Sequence, residues 1–142
     1  MDDNRYSAFQ EYCNSLSDLT NFKQNPYIKS IIENVVPNFG LKYYENIKEY
    51  ETELDLNWNN IRKLNDIGNP HTITYDLDGV AFPLSPTTLR YVQFTLDMLL
   101  HMKQKGYDEV NIFEVGGGYG FQALLIIEMS KLFDIKVNKY TI

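Results

Sequence analysis

Apolar residues recur every three or four positions through residues 1–67, the spacing that lays a stripe along one face of an α-helix. Tyr6, Phe9, Cys13, Leu16 and Leu19 form the first stripe. Asn25-Pro26 predicts the start of a second helix, with Asn as the cap and Pro at the first helical position. Its buried face is expected to be Ile28, Ile31, Ile32, Val35 and Val36, and Pro37 is expected to stop it. A third pattern uses Leu41, Tyr44, Ile47 and Tyr50, and a fourth uses Leu54, Trp58, Ile61 and Leu64. The aromatics among these read as core and interface packing, the alternative being a stacking platform for a sugar or base.

Gly68-Asn69-Pro70 interrupts this helical N-terminal region. In residues 68–84, Thr72-Ile73-Thr74-Tyr75 predicts a short strand, Asp76-Leu77-Asp78-Gly79 a turn, and Val80-Ala81-Phe82 a returning strand. Ser85-Pro86 then caps and starts a helix through Leu89, Val92, Leu96, Leu99 and Leu100 to about Lys105, with Gly106 ending it.

From residue 110 the pattern changes type. Val110-Asn111-Ile112-Phe113-Glu114-Val115 is a short, mostly apolar run, as expected of a strand covered on both faces. A glycine loop follows at once, then a helical pattern from Phe121 to Phe133, then a second strand from Ile135 to Ile142. Strand, glycine turn, helix and strand make the first βαβ unit of a doubly wound α/β domain, so residues 85–142 read as a pre-motif helix and the start of a Rossmann-like domain. A two-stranded parallel sheet with one crossover helix is not self-sufficient. The expectation is therefore a domain truncated after its second strand, with an excised piece or completion by another chain as alternatives.

Composition narrows the function classes. The 142 residues are 44% hydrophobic and 14% aromatic, a composition that folds. Thirteen basic against nineteen acidic side chains give a net charge of −6, which argues against duplex nucleic acid as a partner. The single cysteine, Cys13, excludes an internal disulfide and fits a reducing compartment; it reads as a small buried residue, the alternative being a reactive thiol. Met1-Asp2-Asp3 opens no signal peptide, and no apolar run approaches the ~20 residues that cross a bilayer. A soluble cytoplasmic protein is the expectation.

The candidate chemistry lies in Glu114-Val115-Gly116-Gly117-Gly118-Tyr119-Gly120. Glycines permit positive φ and let a ligand approach without Cβ collisions. The following helix presents N–H donors at its start. Dinucleotide enzymes space their glycines as G-x-G-x-x-G, but here the third position holds Phe121 and the glycine comes one residue early. A carboxylate at Glu114 would repel a pyrophosphate.

The acid followed by G-x-G-x-G spacing resembles motif I of class I methyltransferases. That resemblance implies S-adenosyl-L-methionine as cofactor, with Glu114 holding the methionine amino group and Gly116, Gly117, Gly118, Tyr119 and Gly120 bracketing its methionine and ribose portion. More closely, Asn65-Asp66-Ile67-Gly68-Asn69-Pro70, then Pro83-Leu84-Ser85-Pro86-Thr87-Thr88-Leu89-Arg90-Tyr91, then Phe113 to Gly120, resemble in order and spacing a sugar O-methyltransferase family of surface-polysaccharide gene clusters. The resemblance covers roughly residues 40–142. It implies methyl transfer to a hydroxyl of a nucleotide-linked or glycan sugar. The family's second acid, for the ribose hydroxyls, falls beyond Ile142, so no ribose carboxylate, adenine pocket or catalytic base is assigned.

A sugar hydroxyl needs a general base or a metal to act as nucleophile at neutral pH. His71, in a loop after Pro70, reads as a solvent-exposed residue or one facing substrate, and His101 as a surface residue near a helix end. Two histidines without an acid cluster make no metal site. Arg90 and Tyr91 read as packing and surface pairing, the alternative being a border of the cofactor. The rival functions are a NAD- or FAD-dependent Rossmann-type enzyme and a non-catalytic helical interaction module. For residues 1–142 alone the expectation is weak or absent cofactor binding, no turnover, and either homo-oligomerisation or completion by a missing C-terminal segment.

Overall fold

A computed structural model describes residues 3–51, 53–77 and 79–142, and it is mixed α/β. The chain divides into two compact units, Met1–Gly40 with Asn57–Thr88, and Leu41–Leu56 with Leu89–Ile142.

In the first unit, α1 spans Asp3–Ser15 and a 3₁₀ turn spans Phe22–Gln24. Helix α1 ends earlier than the stripe to Leu19 implies, because local side chains compete for the backbone there. Ser15 Oγ donates to the Tyr12 carbonyl at 2.9 Å, and Asp18 Oδ1 accepts from Thr20 N at 2.8 Å. Leu19 is left exposed, and so is Cys13, which corrects its reading as a buried residue. The sheltered face of α1 runs instead through Ala8, Phe9 and Tyr12, all half-buried. The Tyr6 side chain lies outside the described residues.

Helix α2 (Pro26–Ile31) begins as expected, with the Asn25 side chain accepting from Tyr27 N at 2.9 Å. Ile28 and Ile32 are buried, whereas Val36 is exposed. Pro37 does not stop α2. The amides of Ile32 and Glu33 converge on the Ile28 carbonyl and close the helix. Pro37 instead opens α3 (Pro37–Glu51), where its fixed φ and missing N–H carry no penalty. Helix α4 (Trp58–Asn65) is capped by the Asn57 side chain, which accepts from Asn60 N at 3.0 Å. Strands β1 (Ile73–Leu77) and β2 (Val80–Leu84) form an antiparallel hairpin, Leu77 opposite Val80. Gly79 turns it at φ 83°, its N–H donating to Asp76 Oδ1 at 2.6 Å. Asp78 of the expected turn lies outside the described residues.

Asn65, fully buried, joins these pieces. Its Oδ1 accepts from Ser85 N at 2.8 Å and from Thr88 Oγ1 at 2.9 Å, while its carbonyl accepts from Lys23 Nζ at 3.3 Å. Lys23 is itself buried and lies 4.0 Å from Glu33. Glu33 in turn accepts from Ser85 Oγ at 2.9 Å. The last turn of α4, the 3₁₀ turn, the end of α2 and the start of the next helix are thus held by one buried polar network, in which each bond shelters the next from water.

That next helix, α5 (Pro86–Gln104), is entered from Ser85, whose Oγ accepts from Thr87 N at 3.2 Å. Gly106 follows its end at φ 74°. In the second unit, α5 buries Leu89, Val92, Leu96 and Leu99 at three- and four-residue spacing. The remainder of α3 buries Tyr44 and Ile47, leaves Leu41 exposed, and reaches α5 through a hydrogen bond from the Tyr50 hydroxyl to Asp97. Strands β3 (Glu109–Phe113) and β4 (Lys136–Thr141) pair in parallel around α6 (Phe121–Met129), which a 3₁₀ turn extends to Phe133. Helix α6 is apolar nearly all round and accordingly buries Phe121, Ala123, Leu125, Ile126 and Met129. Contrary to a strand covered on both faces, β3 alternates exposed and half-buried residues, and Phe113 is 74% exposed. Val115 falls outside the strand and is 87% exposed.

Removing the Asn65 side chain strands two buried donors, Ser85 N–H and the Thr88 hydroxyl. Asn65→Ala is expected to lower stability by about 2–4 kcal/mol in denaturant unfolding. A change within experimental error would contradict the network's structural role.

Candidate functional site

The parallel pair of the second unit sets the site. Glu114 leaves β3 with its N–H still donating to the Thr141 carbonyl at 2.9 Å, so the chain turns away just beyond the sheet. Turning from strand to helix within residues 115–120 requires left-handed backbone, which glycine reaches without a Cβ penalty. Gly116, Gly118 and Gly120 take φ values of 79°, 55° and 81°. Gly117 is constrained differently: a Cβ there would lie 2.5 Å from Ile142 Cγ2 and 3.2 Å from Glu114 Oε2. A Cβ on Gly116 would meet nothing within 4 Å, which marks open space beside the loop. The loop closes through a 2.8 Å bond from Gly120 N to the Gly117 carbonyl, and Gly120 caps α6 with no side-chain acceptor.

The carboxylate of Glu114 is oriented from β4. The Tyr140 hydroxyl donates to Glu114 Oε2 at 2.9 Å. This contact depends on an irregularity in register. Val110 lies opposite Val137, but Asn111 lies opposite Lys139, so β4 carries one extra residue, Asn138. Tyr140 consequently sits opposite Ile112 rather than Phe113. Ile112 and Glu114 share a face of the strand by two-residue alternation, and the extra residue brings Tyr140 onto that face. Burial first, then the hydrogen bond and the charge of Glu114, push the Tyr140 hydroxyl well above its ordinary range, so it stays a donor.

Aromatic rings hold the loop's second half. Tyr119 lies 6.5 Å from Tyr91 and 6.0 Å from Phe121, and Tyr91 lies 5.7 Å from Phe121. Arg90 lies over the Tyr91 ring at 5.2 Å. Below them, Gln122 Nε2 donates to Thr95 Oγ1 at 2.5 Å, a buried tie between α6 and α5. The residues expected at the site are therefore brought together: Glu114, Gly116, Gly117, Gly118, Tyr119 and Gly120 form one turn, with Tyr91 beside it. His101 is exposed on α5, and His71 is exposed in the first unit. Tyr140 and Ile142 were not anticipated as site residues, because their approach depends on the strand register. Among the described residues, no cluster of three or more His, Cys, Asp or Glu could hold a metal, and no helix is long and apolar enough to cross a membrane.

No protein-family model, curated protein or solved structure matches this chain. The loop offers a carboxylate with one oxygen already ordered, open space at Gly116, and the start of a helix.

Two outcomes check this geometry. Glu114→Gln removes the charge that disfavours the Tyr140 phenolate, so Tyr140 should ionise at lower pH in that variant, read by NMR of ring-labelled tyrosine; an unchanged titration would break the pairing. Gly120→Ala forces a Cβ into left-handed backbone and should lower stability by about 1–2 kcal/mol.

Proposed function

We propose that this chain belongs to an S-adenosyl-L-methionine-dependent methyltransferase acting on a sugar hydroxyl, and that residues 114–120 belong to a Rossmann-like cofactor site. The observation that carries the reading is a carboxylate, Glu114, fixed by Tyr140 at the mouth of a glycine turn between a parallel strand and a helix. Charge favours this cofactor over a dinucleotide. An ordered carboxylate beside the turn attracts an ammonium and repels a pyrophosphate.

The residues present fit the amino-acid end of the cofactor. Glu114 would hold its ammonium, since Tyr140 occupies Oε2 and leaves Oε1 without a partner among the described residues. The loop amides and the first turn of α6 would take the cofactor's carboxylate, for which a helix N-terminus is a suitable electrostatic environment. The absence of a Cβ at Gly116, where nothing lies within 4 Å, would let the ligand lie against the backbone. When bound, the cofactor supplies a sulfonium-activated methyl group. The chain's part is to hold that group still, because transfer to an oxygen depends on distance and alignment. The sugar hydroxyl as acceptor rests on the sequence resemblance through residues 65–70 and 83–91.

The test is an NMR titration of the protein with S-adenosylmethionine and, separately, with NAD. S-adenosylmethionine should shift the amides of Gly116, Gly117, Gly118 and Gly120, and Glu114→Gln should weaken binding by about 10- to 100-fold, the loss of one charge-assisted hydrogen bond. A response to NAD with none to S-adenosylmethionine would overturn the reading.

A further inference from the structure

The register of β4 decides which side chain stands beside Glu114. Val110 lies opposite Val137, so a regular pair would set Asn138 opposite Asn111 and Lys139 opposite Ile112. The observed register sets Lys139 opposite Asn111 and Tyr140 opposite Ile112. One extra residue thus exchanges an ammonium for a phenol on the face that Ile112 shares with Glu114. Lys139 is turned out and exposed. Bulges beside ligand sites re-aim side chains in this way.

The exchange has an electrostatic consequence. A lysine within reach of Glu114 would pair with it, and a cationic ligand would then have to displace that lysine. A phenol holds the carboxylate without cancelling its charge. Tyr140 donates to Glu114 Oε2 at 2.9 Å. Burial, then the hydrogen bond and the charge of Glu114, push its hydroxyl well above the ordinary range, so the proton stays on Tyr140. The buried backbone of Gly117 lies on the same side, since a Cβ there would be 3.2 Å from Oε2. Among the described residues, Oε1 accepts no hydrogen bond. One oxygen is therefore fixed by a neutral donor, and the negative charge is left for whatever meets the other.

We propose that Tyr140 is a positioning residue that reserves the charge of Glu114 for the ammonium of the ligand's amino-acid group, and that the extra residue in β4 keeps Lys139 from neutralising it. Tyr140 acts through Glu114 and contributes no charge of its own. This role presupposes that residues 114–120 form the proposed cofactor site.

Two ligands and a double-mutant cycle test it by NMR titration: S-adenosylmethionine, and its analogue with a hydroxyl in place of the amino group. Tyr140→Phe keeps the ring and removes the donor. It should weaken S-adenosylmethionine about tenfold and leave the hydroxyl analogue unchanged. In a Glu114→Ala background the same substitution should have no further effect, because the group it acts through is gone. Tyr140→Lys restores a cation at this place and should abolish the preference for the amine. A tyrosine with a structural role alone would weaken both ligands alike, in both backgrounds. In the ligand-free protein, Tyr140→Phe should also release Glu114 from a single χ1 rotamer, read by three-bond couplings. No binding of S-adenosylmethionine to the unsubstituted protein would overturn the cofactor reading and this role with it. Binding that Tyr140→Phe leaves intact, an equal loss in the Glu114→Ala background, or unchanged Glu114 couplings would overturn the role of Tyr140 alone.

Discussion

Parallel pairing of β3 with β4 is the constraint from which the glycine loop follows. Two parallel neighbours cannot be joined by a tight hairpin, so the chain must leave β3, cross as α6 and return. The exit has to be abrupt, because Glu114 is still bonded to Thr141 while Phe121 is already helical. Three left-handed glycines make that exit, and a Cβ on Gly117 would force the Ile142 side chain to shift. The same pairing, with its extra residue at Asn138, aims Tyr140 at Glu114. The proposed ligand site at the carboxyl end of a parallel strand is thus a by-product of how the strands are connected.

The first unit is organised on a different principle. Its helices are short, and their apolar faces are narrow, with Val36, Leu19 and Ile67 left exposed. Buried hydrogen bonds make up the specificity that packing alone would not give. Asn65 holds Ser85 and Thr88 and thereby fixes where α5 begins, while Lys23 and Glu33 tie the 3₁₀ turn and the end of α2 to the same place. Such a network rigidifies when every member is satisfied and is costly where one is not. Among the described residues, the buried Thr87 hydroxyl beside this network has no hydrogen-bond partner.

Local signals in the sequence were legible and distant ones were not. Asn25-Pro26 and Ser85-Pro86 carry their caps in adjacent residues, and both helices start where those dipeptides place them. The hairpin between residues 73 and 84, the end of α5 before Gly106, and the strand, glycine turn, helix and strand order after residue 108 are equally local. Pro37 was misread because proline ends one helix and opens another with the same chemistry; which it does depends on where α2 closes. Cys13 was misread because a helical stripe shifted by one residue turns a different face inward, and the side chains of residues 15–20 end the helix first. Lys23 and Asn65 are 42 positions apart, and Glu114 and Tyr140 are 26 apart. No spacing rule reports such pairs, and the second depends on a single extra residue in β4.

The central claim is that the glycine turn and Glu114 receive the amino-acid end of S-adenosylmethionine. Intermolecular NOEs between the isotope-labelled protein and the unlabelled cofactor test it most directly. The account requires contacts from the methionine α and β protons to the amides of Gly116, Gly117 and Gly118. Contacts confined to the adenine ring at this loop, or methionine contacts elsewhere in the chain, would contradict it.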